Sequence, residues 1–371
     1  MPLVSVTPIN QAKYSSKTQA KTNVGIVGAT GYTGQELVRL LLQHPNVDVK
    51  SATTQSYKGK KYAEVYPGFA KLTDVVCAEE NIEALADQVD VMFLALPHGN
   101  AAEKISPEIL KNCVVIDLGG DFRLKDESQY PTWYQFEHPQ PELLASAVYG
   151  LPELNREAIS GAQLIANPGC YATCSILTLA PLVKYGLVKP DSIIIDALSG
   201  VSGAGRSLAI GTHFNECNES VKAYKVASHR HTPEIEQALG NLNQSQSALS
   251  FTPHLVPMNR GILATAYASL LNGVSHKDVS DAYETMYAAE PFIRLCDPES
   301  NEFSTPETRW VKGSNFCDIG VTFDQRTNRV IAVGAIDNLV KGAAGQAIQN
   351  MNLVCGWEET TGLMLPAIFP A

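Results

Sequence analysis

Apolar residues fall into two regimes along this chain. Up to residue 166 they come as short, nearly unbroken runs at 23–28, 47–52, 74–78, 91–96, 113–118 and 163–166. Brief apolar runs bounded by turn residues predict strands buried on both faces. The segments between them are long enough for crossover helices, which predicts an α/β fold built on a doubly wound parallel sheet. After residue 170 the pattern changes. Residues 171–185 read as an apolar helix and 192–199 as a strand, while residues 261–270 alternate as a half-covered antiparallel strand does. This second region predicts an α+β domain with a mixed sheet. Residues 337–354 begin polar and glycine-rich, then take helical spacing, as a helix returning to the first domain would. The expected division is an arm over 1–22, a nucleotide-binding domain over 23–166 completed by 338–371, and a catalytic and oligomerisation domain over 167–337.

The first run leads into glycines at 28, 31 and 34 and then into a helical pattern from Glu36 to Gln43. Strand, glycine turn and helix in this order make a Rossmann-type phosphate site, because glycine lets the backbone approach a pyrophosphate and the helix N-terminus supplies free N–H groups. Gly28, Thr30, Gly31, Tyr32, Thr33 and Gly34 are therefore candidate cofactor ligands. A nicotinamide dinucleotide without a 2′-phosphate calls for an acid at the carboxyl end of the second strand. Asp48 falls at its start, whereas the carboxyl end reads Thr-Thr-Gln-Ser-Tyr-Lys-Gly-Lys-Lys over 53–61. Ser56 and Lys58 are expected to hold a 2′-phosphate, making the cofactor NADP(H). Two more turns, around Pro97 and around Arg123, should lie at carboxyl ends of strands, where open α/β sheets bind ligands. Arg123 offers the fork-shaped cation that suits a phosphate or carboxylate.

The chemistry centres on Asn167-Pro-Gly-Cys170. A turn delivers this thiol to a helix N-terminus, whose dipole and free N–H groups favour thiolate. A second dense cluster of titratable groups is Tyr224 to Ile235, containing His229, His231 and Glu234. Thr232 and Pro233 read as N-cap and first residue of a helix, which leaves both histidines in an extended approach and on one side of the chain. Either imidazole can keep a thiol ionised and later exchange a proton with a reacting oxygen. No metal site is expected, since His213 and Cys217 lack further ligands at suitable spacing.

Composition narrows the partners. The 371 residues carry a net charge of −10, with 45% hydrophobic and 18% charged residues. This suits a soluble protein acting on a small molecule and argues against nucleic acid or an anionic membrane. Eight cysteines without a C-x-x-C pair fit a reducing compartment, hence the cytoplasm. Residues 1–22, with three lysines and no acid, leave an organellar remnant as the alternative.

GATGYTG at 28–34, DFRL at 121–124, ANPGCYAT at 166–173, SGVSGAGR at 199–206, HRHTPEIE at 229–236 and DNLVKGAAGQAIQNMN at 337–352 occur in one order across nearly the whole chain. Together they resemble the N-acetyl-gamma-glutamyl-phosphate reductases, relatives of the aspartate-semialdehyde dehydrogenases. Gly119-Gly120 departs from the Ser-Ala more usual there. The resemblance implies NADPH-dependent reduction of N-acetyl-L-glutamyl 5-phosphate to the 5-semialdehyde in arginine biosynthesis. It implies a cysteine thioester on Cys170, with His231 as acid/base and His229 in reserve. It assigns the substrate to Arg123, Asn167, Arg206, Tyr224, His229 and Glu234, adds Pro97, Ser199, Gly200 and Asn338 to the cofactor site, and suggests a homotetramer or homodimer. The competing readings are an aspartate-semialdehyde dehydrogenase, a non-catalytic NADP-sensing regulator and a cysteine hydrolase.

Overall fold

The computed structural model describes residues 21–244, 248–297 and 303–370; the expected arm lies almost wholly outside them. The six early apolar runs form one parallel sheet, which a short edge strand at 148–149 extends to seven strands. These are β1 (Thr22–Val27), β2 (Val47–Thr53), β3 (Cys77–Ala78), β4 (Val91–Leu94), β5 (Val114–Asp117), β6 (Val148–Tyr149) and β7 (Leu164–Ala166), in the order β3-β2-β1-β4-β5-β7-β6. Val24, Ile26, Val91, Phe93, Val114 and Ile116 are all within 2% of full burial, which is why these strands read as continuous runs. Helix α1 (Tyr32–Leu41) follows the glycine turn directly. The 74–78 run yields only a two-residue strand, and β6 is equally short.

The second sheet is mixed. It comprises β8 (Ile194–Ser199), β9 (Lys222–Ala223), β10 (Ser250–Leu255), β11 (Ile262–Ser269), β12 (Ile293–Leu295), β13 (Cys317–Asp324) and β14 (Arg329–Ile336), in the order β12-β13-β14-β11-β8-β10-β9. Strand β11 is antiparallel to both neighbours, as its alternation predicts. Its even-numbered residues Ile262, Ala264, Ala266 and Ala268 are buried, whereas Leu263, Thr265 and Tyr267 stay half-exposed. Helix α2 (Cys170–Lys184) packs its apolar side chains into the covered face, together with α3 (Thr232–Asn243) and α4 (His276–Tyr287).

The 337–354 segment is helical in two parts. Residues Val340–Ala344 form a π-helical turn, and α5 (Gly345–Val354) continues from it. Val340, Ala344, Ala347, Ile348 and Met351 join the core beneath β1 and α1. A single π turn commonly marks a functional position, and this one lies against Cys170.

Candidate active site

A cavity of about 610 Å³ opens where the carboxyl ends of β1, β4 and β5 meet the loop before α2 and the His231 segment. One end is the glycine turn. Gly28 takes a left-handed conformation, with φ of 79°, and a Cβ there would stand 2.4 Å from the Ala95 carbonyl oxygen. Helix α1 has no side-chain cap and no acid in its first turn. Its N-terminal N–H groups are thus left for an anion, so the residues present fit a dinucleotide pyrophosphate. Tyr62 donates to the Ala29 carbonyl at 2.8 Å and Tyr66 to the Thr30 carbonyl at 2.7 Å, holding the turn from below. Thr30, Gly31, Tyr32, Thr33, Gly34, Ser56, Pro97 and Asn338 all line this cavity.

Several expected ligands stand elsewhere. Lys58 does not line the cavity but pairs with Glu79 on the surface. Ser199 and Gly200 lie behind the wall, where Gly200 donates to the Gly261 carbonyl. Arg206, expected beside the substrate, lies at the glycine-turn end. Its guanidinium donates to the Thr30 carbonyl at 2.9 Å and the Tyr66 hydroxyl at 2.8 Å, and covers the Tyr66 ring at 5.1 Å.

At the other end Cys170 is the first residue of α2, with Gly169 as N-cap. Two glycines permit the crowding around it. A Cβ on Gly169 would fall 2.2 Å from His231 Nε2, and one on Gly342 would fall 2.7 Å from the Cys170 Cβ. The histidine and the π turn therefore press against the cysteine loop with only backbone between.

The expected thiolate needs correction. Burial pushes the Cys170 thiol up to about 11, outweighing the opposing effects of the Arg123 charge and the Tyr171 backbone N–H. The helix terminus is present as read, but desolvation dominates it, so the thiol is protonated at neutral pH in this state. Both imidazoles are likewise neutral. Burial, then Arg230 and Lys225, lowers His229 to about 3. Burial, His229 and Arg123 in that order hold His231 well below its ordinary range.

The approach to α3 also differs from the extended one expected. His231 is itself the N-cap in helical conformation, with Thr232 first and Pro233 second in the helix. The turn brings the His229 and His231 rings to 4.7 Å, and the His231 N–H donates to His229 Nδ1 at 3.1 Å. His231 lines the cavity, whereas His229 and Tyr224 lie behind it, their rings meeting edge to face with centroids 5.7 Å apart. His231 Nδ1 is buried and has no hydrogen-bond partner among the described residues.

Glu234 is fully buried and organises this end. Its carboxylate accepts from the Gly169 N–H and the Tyr149 hydroxyl, each at 2.8 Å, and from Arg123 at 3.4 Å. Arg123 also donates to the Asn167 and Leu118 carbonyls, each at 2.9 Å. Asn167 is fixed in turn by the Ala343 carbonyl and Asn350. Sequence reasoning missed Tyr149 and Asn350, which belong to remote elements with no local chemical signature. It also missed Asp121, which accepts from the Gly99, Ala101 and Ala102 N–H groups and sets the turn after Pro97.

A thiol at a helix start, an imidazole over its N-cap and a glycine-turn cleft on a parallel sheet define a two-domain dehydrogenase of the semialdehyde type. Residues 23–162 match the semialdehyde dehydrogenase NAD binding domain and residues 170–338 the semialdehyde dehydrogenase dimerisation domain. The chain belongs to the N-acetyl-gamma-glutamyl-phosphate reductases, NADP-dependent oxidoreductases of arginine biosynthesis. It is 52% identical over 347 residues to the enzyme of that name from Pelotomaculum thermopropionicum, covering 94% of this chain and 99% of the relative. The Lachnospira eligens enzyme of the same name is 53% identical over 349 residues, with 94% and 99% covered. In fold it is similar to aspartate semialdehyde dehydrogenase II from Vibrio cholerae, with a TM-score of 0.68 and 20% identity over 90% of this chain and 98% of that one. An aspartate semialdehyde dehydrogenase from Candida albicans, solved with NADP, gives 0.64 and 18% over the same shares.

Proposed function

We propose that this cavity converts N-acetyl-L-glutamyl 5-phosphate to the 5-semialdehyde with Cys170 as nucleophile and His231 as acid/base. The seating of Cys170 at the start of α2 beneath the His231 imidazole carries this reading. Cys170 gives its proton to the neutral His231 imidazole, and its sulfur attacks the acyl carbon. The carbon–oxygen bond to phosphate breaks, and the substrate remains as a thioester. NADPH held along the glycine turn would supply the hydride that takes this carbonyl to the aldehyde level. His231 gives a proton to the resulting oxygen and recovers it as the carbon–sulfur bond breaks, returning the thiolate. Arg123, buried beside Asn167 and His231, stabilises the departing phosphate, and Glu234 positions both Arg123 and the cysteine loop.

Residues 23–166, with the helix returning after 338, form the cofactor-binding unit, and 167–337 the catalytic one. The glycine turn takes the pyrophosphate. Ser56 and Arg206, not Lys58, take the 2′-phosphate at the end of β2, because Lys58 is paired outside the cavity.

The half-exposed apolar face of the second sheet, including Leu198, Leu263, Tyr267, Ile331 and Val333, packs against a second copy in a homodimer. Cytoplasmic residence fits the eight free cysteines. Among the described residues no helix is long and apolar enough to cross a membrane.

The reverse assay tests the reaction. Semialdehyde, phosphate and NADP together should yield NADPH, with NADPH formation dependent on phosphate. No NADPH would refute the assignment, and turnover confined to aspartate semialdehyde would favour the competing dehydrogenase.

A further inference from the structure

One cation of the cavity has no part in that mechanism. Arg230, between His229 and His231 in sequence, is half-buried and lines the cavity. Its Nη1 donates to His98 Nδ1 at 2.6 Å, across the opening between the turn after β4 and the segment before α3. Among the described residues no carboxylate pairs with it. Arg123 is different. Two backbone carbonyls and Glu234 hold it against Asn167, and it is only 6% exposed.

The substrate of the proposed reaction, on which this inference rests, is anionic at both ends. Phosphate departs from the carbon that Cys170 attacks, so its cation must stand near the sulfur. The α-carboxylate sits about 5 Å further along the carbon chain, by ordinary bond lengths. Of the two cations, Arg123 is the one built into the cysteine loop: it donates to the Asn167 carbonyl at 2.9 Å and lies 3.5 Å from Nε2 of the His231 ring that packs on Gly169. It occupies the phosphate end. Arg230 stands at the opening against the His98 imidazole, its one hydrogen-bond partner among the described residues, and a carboxylate can outcompete a neutral ring because a charged acceptor makes the stronger bond.

We propose that Arg230 anchors the substrate's α-carboxylate, leaving His98 for a forked pair of hydrogen bonds to its two oxygens. The contact selects acyl phosphates that carry a carboxylate at this distance, as amino-acid derivatives do.

The reverse reaction separates the two anions into two reactants, and the test uses that. For Arg230→Met the KM for semialdehyde should rise about 30-fold or more, the range for losing a charge-assisted contact, while the KM for phosphate stays within about threefold. Arg230→Lys should recover part of the loss. A semialdehyde whose carboxylate is replaced by an amide should be used equally poorly by the unsubstituted and Met proteins. A rise confined to the phosphate KM, or no rise in either, overturns the assignment. Unchanged NADPH binding, followed by fluorescence, confirms that the Met protein is folded. If the unsubstituted protein makes no NADPH, the reaction itself is wrong. If it turns over and only the Met variant is indifferent, the error lies with Arg230 alone.

Discussion

The two ends of the cavity are built on opposite principles. At the glycine-turn end the ligand groups belong to the backbone, and the side chains that approach it, Ser56 and Arg206, are exposed to solvent. At the Cys170 end they belong to side chains locked by buried hydrogen bonds, with Glu234 joining the cysteine loop, Tyr149 and Arg123. Backbone N–H groups at a helix start can hold an anion without elaborate support. A thiol and an imidazole that must meet one carbon need every neighbour fixed. The cost is visible in the desolvated, protonated thiol and in the His231 Nδ1 that has no partner among the described residues.

The largest expected effect is at the locked end. Cys170→Ser should reduce turnover more than about 1000-fold, because a serine alkoxide forms poorly and is a worse acyl carrier. NADPH binding should persist, and near-normal rates would remove Cys170 from the chemistry. His231→Asn should cost on the order of 100-fold in kcat, the usual range for a positioned acid/base. An unchanged rate in steady-state assays would transfer the role to His229. At the open end the losses should be smaller and fall on binding. Arg206→Ala should raise the KM for NADPH about tenfold with little change in kcat or in the KM for NADH, as expected for a contact to the 2′-phosphate. Lys58→Ala should change neither KM beyond about twofold, since an exposed pair contributes little. The reverse ranking of Arg206 and Lys58 would restore the lysine to the cofactor site. On the sheet face, Leu263→Lys should shift the sedimenting species towards monomer, because it buries a charge against the second copy.

The same contrast explains what the sequence disclosed. The parallel sheet was legible because burial on both faces leaves unbroken apolar runs, and β11 because burial on one face leaves alternation. β6, two residues long, leaves neither. Cys170 was found from the turn before it and the helix after it, both local features. Its high pKa was not, because it depends on how deeply Gly342, His231 and the loop bury the sulfur. Lys58 looked like a phosphate ligand by position alone, whereas its ion pair with Glu79 depends on strand pairing 21 residues away. His231 was expected on an extended segment because Thr232-Pro233 looks like a helix start. The helix begins there, but the cap is one residue earlier. Glu234 and Asn167 were reached through family resemblance, and the fold gives them a supporting position behind the cavity wall.

The central claim is that Cys170 carries the acyl group. Semialdehyde and NADP, mixed without phosphate, should release a burst of NADPH equal to the number of active sites. Mass spectrometry of the quenched protein should then find one N-acetylglutamyl group on Cys170 and none on Cys174, one turn further along α2. An acyl group on any other residue, or full turnover with no acylated Cys170, would contradict the account.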